Sequence, residues 1–158
     1  MGQSLKEVID LLYKPPQGQR QAIAVSRRVA EQLPPLPTVA MISITAPERA
    51  HAEVDGFTHL LRLSFEDVDH LNTDISARAK AKIKDAFTVQ QAKEIHAFVQ
   101  ALPAEICTLI VHCEGGYSRS CAVVLSLHNI YGFCVNTGSL VQANPSVVKT
   151  MIMSASKR

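Results

Sequence analysis

Apolar positions fall into two patterns along the chain. Short unbroken runs occur at Ala22-Ile23-Ala24-Val25, at Val39 to Ile44, from His59 to Phe65 and at Ile106 to Val111. Their length and β-branched content predict buried strands. Elsewhere apolar residues recur every third or fourth position, which predicts helices. Leu5, Val8, Ile9 and Leu12 line one side of a short helix from Ser4 to Tyr13, ended by Lys14-Pro15-Pro16-Gln17-Gly18. Ser26 is a predicted cap for a helix to about Leu33, stopped by Pro34-Pro35, and Pro47-Glu48-Arg49-Ala50 is a candidate short helix. Thr88 with Gln91 reads as a capping box ahead of Val89, Ala92, Ile95, Phe98, Val99 and Leu102, with Pro103 as the stop. A further helix follows Arg119 and ends at Gly132, and Asn144-Pro145 opens the last one over Val147, Val148, Met151 and Ile152.

Strands alternating with helices predict an α/β fold with a mainly parallel sheet. Right-handed crossovers then cover both faces, and ligands bind where strands end at their C-termini. The chain has 158 residues, enough for one domain with a real core. The reading places a helical arm over residues 1–20, loosely packed or contacting a partner, and the domain proper over 21–158. The interval from Glu66 to about Ala86 has no clear period. It holds an acidic piece, Glu66-Asp67-Val68-Asp69, and a basic one, Arg78-Ala79-Lys80-Ala81-Lys82-Ile83-Lys84. It reads as a solvated loop or short surface helix, with a flap that helps bind anionic substrate as the sharper alternative.

Composition narrows the class. The apolar fraction of 47% and charged fraction of 19% suit a soluble globular protein. A net charge of +2 with scattered basic residues argues against nucleic acid or an anionic membrane as partner. No apolar run reaches the length of a membrane span. Met1-Gly2 invites myristoylation, but Lys6 stands where Ser or Thr is wanted. Cys107, Cys113, Cys121 and Cys134 show neither disulfide nor metal-ligand spacing, and with no secretory signal the expected compartment is the cytoplasm. Metal binding through His112, Cys113 and Cys121 is a weaker alternative.

The chemistry concentrates at Val111-His112-Cys113-Glu114-Gly115-Gly116-Tyr117-Ser118-Arg119-Ser120, between the apolar runs Leu109-Ile110-Val111 and Ala122-Val123-Val124-Leu125. Strand, tight loop and helix N-terminus in succession turn backbone N–H groups inward and add the partial positive end of the helix dipole. Arg119 supplies a planar fork for two phosphate oxygens. Cys113 at the base of such a cup is expected to be favoured as the thiolate nucleophile. The plain alternative is a buried structural cysteine at an ordinary strand-loop-helix corner. His112 reads equally as a core histidine bonded to backbone or as a group behind the cysteine that tunes it. Ser120 is a candidate helix cap. Cys121 reads as a small buried helix residue, with a protective disulfide to Cys113 as the alternative.

The pattern His112-Cys113-x-x-Gly116-x-x-Arg119-Ser120 resembles the signature of the cysteine-based protein tyrosine phosphatases. Gly116-Tyr117-Ser118-Arg119-Ser120 is especially similar to the dual-specificity branch. A looser resemblance, from about Ile23 to Met151, is to small single-domain enzymes of prokaryotic and phage type. It implies a four- or five-stranded sheet flanked by helices, no metal or other cofactor, and a phosphorylated protein or peptide as substrate. Phosphotyrosine is the leading target, with phosphoserine and phosphothreonine as further candidates. By the same resemblance Cys113 forms a phosphocysteine, and the backbone of Glu114, Gly115, Gly116, Tyr117, Ser118 and Arg119 with the Arg119 side chain holds the phosphate. Ser120 bonds the sulfur and eases breakdown of the intermediate. The family's general acid is an aspartate on a loop after a strand. Asp67 fits, two residues past Phe65, with Asp69 a close rival and Glu66 a distant one. Asp67 lies 46 residues before Cys113, a longer interval than is usual in the family, and the extra length falls in Asn72–Ala86. Asn144 resembles an asparagine of the family's last helix and is first of all a cap.

Three other functions fit less well. A phosphoinositide or nucleotide phosphatase is expected to carry lysines in the loop, and Glu114, Gly115, Tyr117 and Ser118 include none. A phosphotyrosine-binding pseudoenzyme needs only Cys113 and Arg119, with neither Asp67 nor Asp69 at the site. A thiol redox protein needs a second cysteine in the loop. The sequence leaves the oligomeric state open.

Overall fold

Four of the apolar runs lie side by side as parallel strands: β1 (Gln21–Ser26), β2 (Val39–Thr45), β3 (Leu60–Ser64) and β4 (Thr108–Cys113). The computed structural model describes residues 4–155. Met1-Gly2, read above for myristoylation, lies outside them. The fold is α/β, and the strand order is β1-β4-β2-β3. Of the predicted four or five strands, four form. β2 and β4 occupy the middle and are buried at every position, as strands covered on both faces must be. β3 is an edge strand, and most of its residues are only half-buried.

Period-two alternation sorts the strand side chains onto two faces. Ala22, Ala24, Ile42, Leu109 and Val111 join Ile95, Val124, Leu127 and Met151 on one side. Ile23, Val25, Met41 and Ile110 join Val8 and Leu12 on the other. The first side is covered by α4 (Val89–Gln100), α5 (Arg119–Tyr131) and α6 (Pro145–Met153), the second by α1 (Leu5–Tyr13) and the short α2 (Arg27–Ala30).

Local signals set most boundaries. Ser4 and Thr88 form the capping boxes of α1 and α4. Gly132 takes φ 76° and ends α5. Asn144 accepts from Ser146 and Val147 at the start of α6, with Pro145 in the first turn. α1 is packed down on the sheet, with Val8 fully buried and the Leu11 carbonyl accepting from Gln21 at 2.9 Å. α2 stops at Ala30, short of the predicted Leu33: the N–H groups of Gln32 and Leu33 bond only three residues back, to the carbonyls of Val29 and Ala30 at 3.0 and 3.2 Å, so the chain tightens into turns before Pro34. Pro47 begins no helix: Arg49 N–H bonds the Ala46 carbonyl at 3.0 Å in a turn. The aperiodic interval becomes a closed loop, with Glu66 N–H on the Asp85 carbonyl at 2.7 Å, carrying α3 (Ala77–Lys80) and a 3-10 turn at Ile83–Asp85.

Candidate active site

β4 ends at Cys113 and α5 begins at Arg119, so the loop between them sits at the C-terminal edge of the sheet. Gly116 holds the loop's shape. Its φ is +79°, and a Cβ there would lie 2.6 Å from Ser26 N and 2.7 Å from Val25 C. Only glycine tolerates that backbone and that approach to β1. The carbonyls of alternate loop peptides are bonded away from the loop. Glu114 O accepts from Arg27 N–H at 3.1 Å, Gly116 O from the Cys121 thiol at 3.3 Å, and Ser118 O from the N–H groups of Ala122 and Asn144 at 2.9 and 3.2 Å. In a trans peptide the N–H points opposite to the C=O. The N–H groups of Gly115, Tyr117 and Arg119 therefore face the other way, and none has an acceptor among the described residues. Three such donors beside the N-terminus of a thirteen-residue helix form a cradle for an anion.

Cys113 is 3% exposed. Its Sγ accepts from Gly116 N–H at 3.3 Å and lies 3.2 Å from Ser120 Oγ. Both are donors suited to a thiolate. Ser120 makes no cap hydrogen bond; the position before the helix belongs to Ser118, whose side chain does not cap either. Arg119 is buried, its Nη1 donating to the Phe65 carbonyl at 2.9 Å while its Nε has no partner among the described residues. That anchor ties the guanidinium to the end of β3. The Glu114 carboxylate turns outward to Arg27 at 3.1 Å and Arg49 at 3.5 Å, so this residue brings its backbone to the loop.

The two rival aspartates part company. Asp67 is exposed and crosses to the loop, its Oδ1 accepting from Ser118 Oγ and from Asn144 Nδ2, each at 2.8 Å. Asp69 is turned to the start of α6, where it accepts from Ser146 Oγ. Glu66 is buried. One of its carboxylate oxygens lies 3.3 Å from Lys82 Nζ and the other has no partner among the described residues. Glu66, Asp67, Lys82, Arg119, Arg49 and Glu114 share one cleft of about 270 Å³, together with Ala46 and Glu48. Cys113 itself, 3% exposed, is not in its lining, and a larger cleft of about 710 Å³ lies elsewhere, along Gln19, Arg20 and Tyr131. Arg20 there is committed to the carbonyls of Leu102, Pro103 and Ile106.

His112 has no exposed surface and sits behind the loop. Its Nδ1 faces the Cys113 carbonyl at 3.3 Å, so Nδ1 carries the proton and Nε2 accepts from the Ser43 hydroxyl at 2.6 Å. Ser43 stands opposite His112 in the β2–β4 register. Burial lowers the imidazole pKa from 6.5 to about 4, outweighing the bond to Cys113. His112 is thus a neutral core histidine that also grips the peptide after Cys113. The Cys121 thiol, shared between the carbonyls of Gly116 and Ser139, is pushed up to about 11 by burial and then by Cys113. Both cysteines are free thiols. Among the described residues no group of three or more His, Cys, Asp or Glu side chains is arranged to hold a metal ion, and no helix is long and apolar enough to cross a membrane.

Sequence reasoning did not anticipate the Ser118 hydroxyl or the Asn144 amide on Asp67; Lys82 belongs to the basic piece that was read as a solvated loop or, alternatively, a flap for anionic substrate. Asn144 was legible as a cap, and its oxygen does cap; its nitrogen is the part that reaches Asp67. No protein-family model matches the chain, and no curated protein matches it.

Proposed function

We propose that the protein is a cysteine-dependent protein phosphatase that hydrolyses phosphotyrosine, with phosphoserine and phosphothreonine as further substrates, and that it acts in the cytoplasm. The observation that carries the reading is the Cys113 sulfur. It stands at the start of the loop whose Gly115, Tyr117 and Arg119 N–H groups are unpaired among the described residues, bonded by Gly116 N–H at 3.3 Å and within 3.2 Å of the Ser120 hydroxyl. A strand-end cysteine with that surrounding is a nucleophile in an oxyanion cradle. The resemblance of His112 to Ser120 to the tyrosine-phosphatase signature supports the same reading.

In the first step the Cys113 thiolate attacks phosphorus in line. The S–P bond forms as the P–O bond to the leaving group breaks, and the loop amides with Arg119 hold the three equatorial oxygens. Asp67 gives its proton to the departing oxygen. Its Oδ1 is occupied by Ser118 and Asn144, which leaves Oδ2 as the proton-bearing oxygen. In the second step water attacks the phosphocysteine, Asp67 takes the water's proton, and the Ser120 hydroxyl stabilises the departing thiolate. Inorganic phosphate leaves.

The test is hydrolysis of para-nitrophenyl phosphate and of a phosphotyrosine peptide with EDTA present, combined with rapid acid quench and mass spectrometry for a phosphorylated Cys113. The expected result is turnover, a trapped adduct on Cys113, and no turnover by Cys113→Ser while phosphopeptide binding persists. Turnover by Cys113→Ser near the wild-type rate refutes the assignment. Binding without turnover by the wild-type protein makes it a phosphotyrosine-binding pseudoenzyme.

A further inference from the structure

The loop closed by Glu66 and Asp85 carries four cations and brings one of them, Lys82, to the cleft. Lys82 lines the cleft with Arg119, its side chain 47% exposed and its Nζ 3.3 Å from Glu66. Backbone from Ala77 through Lys82 is right-handed helical: α3 covers Ala77–Lys80, and Ala81 and Lys82 continue in the same region. Residues four apart in such a run lie on one face. Arg78 therefore shares the face of Lys82, whereas Lys80 and Lys84 lie on the other side. Arg78, Lys80 and Lys84 are exposed and make no ion pair among the described residues. From Ser76 to Asp85 there are four cations against one carboxylate, Asp85. α3 buries none of its residues, so packing does not explain its sequence.

The cleft itself has a different balance. Glu48, Glu66, Asp67 and Glu114 face Arg49, Lys82 and Arg119 there. A small polyanion seated wholly inside would meet those carboxylates. Unpaired positive charge lies beside it, at Arg78, one helical turn from Lys82.

We infer that Lys82 and Arg78 form a docking strip for acidic side chains flanking the phosphorylated residue, so that the preferred substrate is an acidic phosphopeptide. The inference rests on the phosphatase reading for the position of the phosphorylated residue. Each exposed ion pair contributes a few-fold at most, so the two together give a preference of about tenfold, shrinking as salt rises.

The experiment uses two fluorescent phosphotyrosine peptides, one flanked by glutamates and one by alanines. Affinity for Cys113→Ser is read by anisotropy, and kcat/KM is measured on the wild-type protein. The expected acidic-to-alanine ratio is about ten at low salt, falling towards one in Arg78→Glu and changing much less in Lys80→Glu. The second variant makes the same charge change off the strip and so controls for net charge. Equal affinities and equal kcat/KM for the two peptides overturn the inference while leaving the phosphatase reading intact. A binding preference with no turnover by the wild-type protein keeps the strip and overturns the phosphatase. Equal losses in Arg78→Glu and Lys80→Glu reduce the strip to bulk charge and overturn it. So does binding to phosphatidylserine vesicles that Arg78→Glu abolishes, if the peptides are not distinguished; the strip is then a membrane contact.

Discussion

Replacing Asp67 or Asp69 by asparagine separates the two carboxylates that sequence alone left as rivals. Both substitutions are nearly isosteric and keep an acceptor oxygen. The amide oxygen introduced by Asp67→Asn can still receive the Ser118 hydroxyl and the Asn144 amide, each 2.8 Å from Oδ1 in the wild type, so the loop geometry is retained. Only the exchangeable proton on the other oxygen is lost. General acid catalysis contributes roughly 10²–10⁴-fold, which is about 3–5 kcal/mol of barrier at 1.36 kcal/mol per tenfold. Asp67→Asn should therefore lose about a hundredfold or more in kcat on phenyl or alkyl phosphates. With para-nitrophenyl phosphate, whose leaving group departs without a proton, the loss should be far smaller, and the basic limb of the pH profile should flatten. Asp69 is bonded to Ser146 at the start of α6, and Asp69→Asn should stay within about twofold on every substrate, as expected for a group that transfers no proton. The assay is kcat and kcat/KM for both variants on both substrate types across pH. Leaving-group dependence in Asp69→Asn and not in Asp67→Asn refutes the reasoning. If neither variant shows it, the acid is another group.

Gly116→Ala should cost about 2 kcal/mol or more in urea unfolding and remove most activity, because its Cβ meets β1 backbone that cannot yield; Gly115→Ala, which meets only the Tyr117 ring at 2.8 Å, should be milder, and equal effects count against the close-approach argument. Burial of His112 makes stability depend on acid: unfolded imidazole binds a proton near 6.5 and the folded one only near 4, so stability is complete above pH 6.5 and falls as pH drops through that window. The loss is about 2 kcal/mol at pH 5 and about 3 below pH 4, read from urea midpoints, and His112→Asn should flatten the slope; an unchanged slope refutes it. Iodoacetamide should modify Cys113 first at neutral pH, with phosphate protecting it, and should spare Cys121, whose thiol is held neutral with a pKa of about 11; peptide mass mapping that finds Cys121 labelled as fast as Cys113 would count against this.

What could be read from the sequence is what is local. Ser26, Thr88 and Asn144 all cap helices, because a cap needs only its own side chain and the next three amides. The loop after Cys113 was legible for the same reason. Strand limits were less so: the strand expected from Ile106 begins at Thr108, where pairing with Gln21 and Val39 starts. That start depends on neighbours far off in sequence. The packing of α1 was out of reach, since an amphipathic stripe states that something covers it and not what. The junction of Asp67 with Ser118 and Asn144 joins residues 51 and 77 positions apart, and nothing in the spacing announces it. The interval from Glu66 to Ala86 stayed unreadable because α3 has no buried face to impress a period.

Asn144 shows how fold and candidate site are bound together. Its backbone N–H bonds the Ser118 carbonyl at 3.2 Å, on the loop that carries Cys113. Its oxygen accepts the N–H groups of Ser146 and Val147 at 3.0 and 3.2 Å, which starts α6. Its nitrogen donates to Asp67 at 2.8 Å and to the Val68 carbonyl at 3.1 Å, on the segment leaving β3. One residue, through its backbone N–H and its side chain, thus ties together the loop after β4, the segment after β3 and the last helix. No aliphatic or hydroxyl side chain offers a donor pair and an acceptor in one plane. Asp67 and Asp69 then diverge for a simple reason. Backbone held at Val68 sends the residue on one side of it towards the loop and the residue on the other towards Ser146. The same anchor that caps a helix therefore selects which carboxylate meets the cysteine loop. A residue placed first by its capping role decides the geometry of the proposed acid.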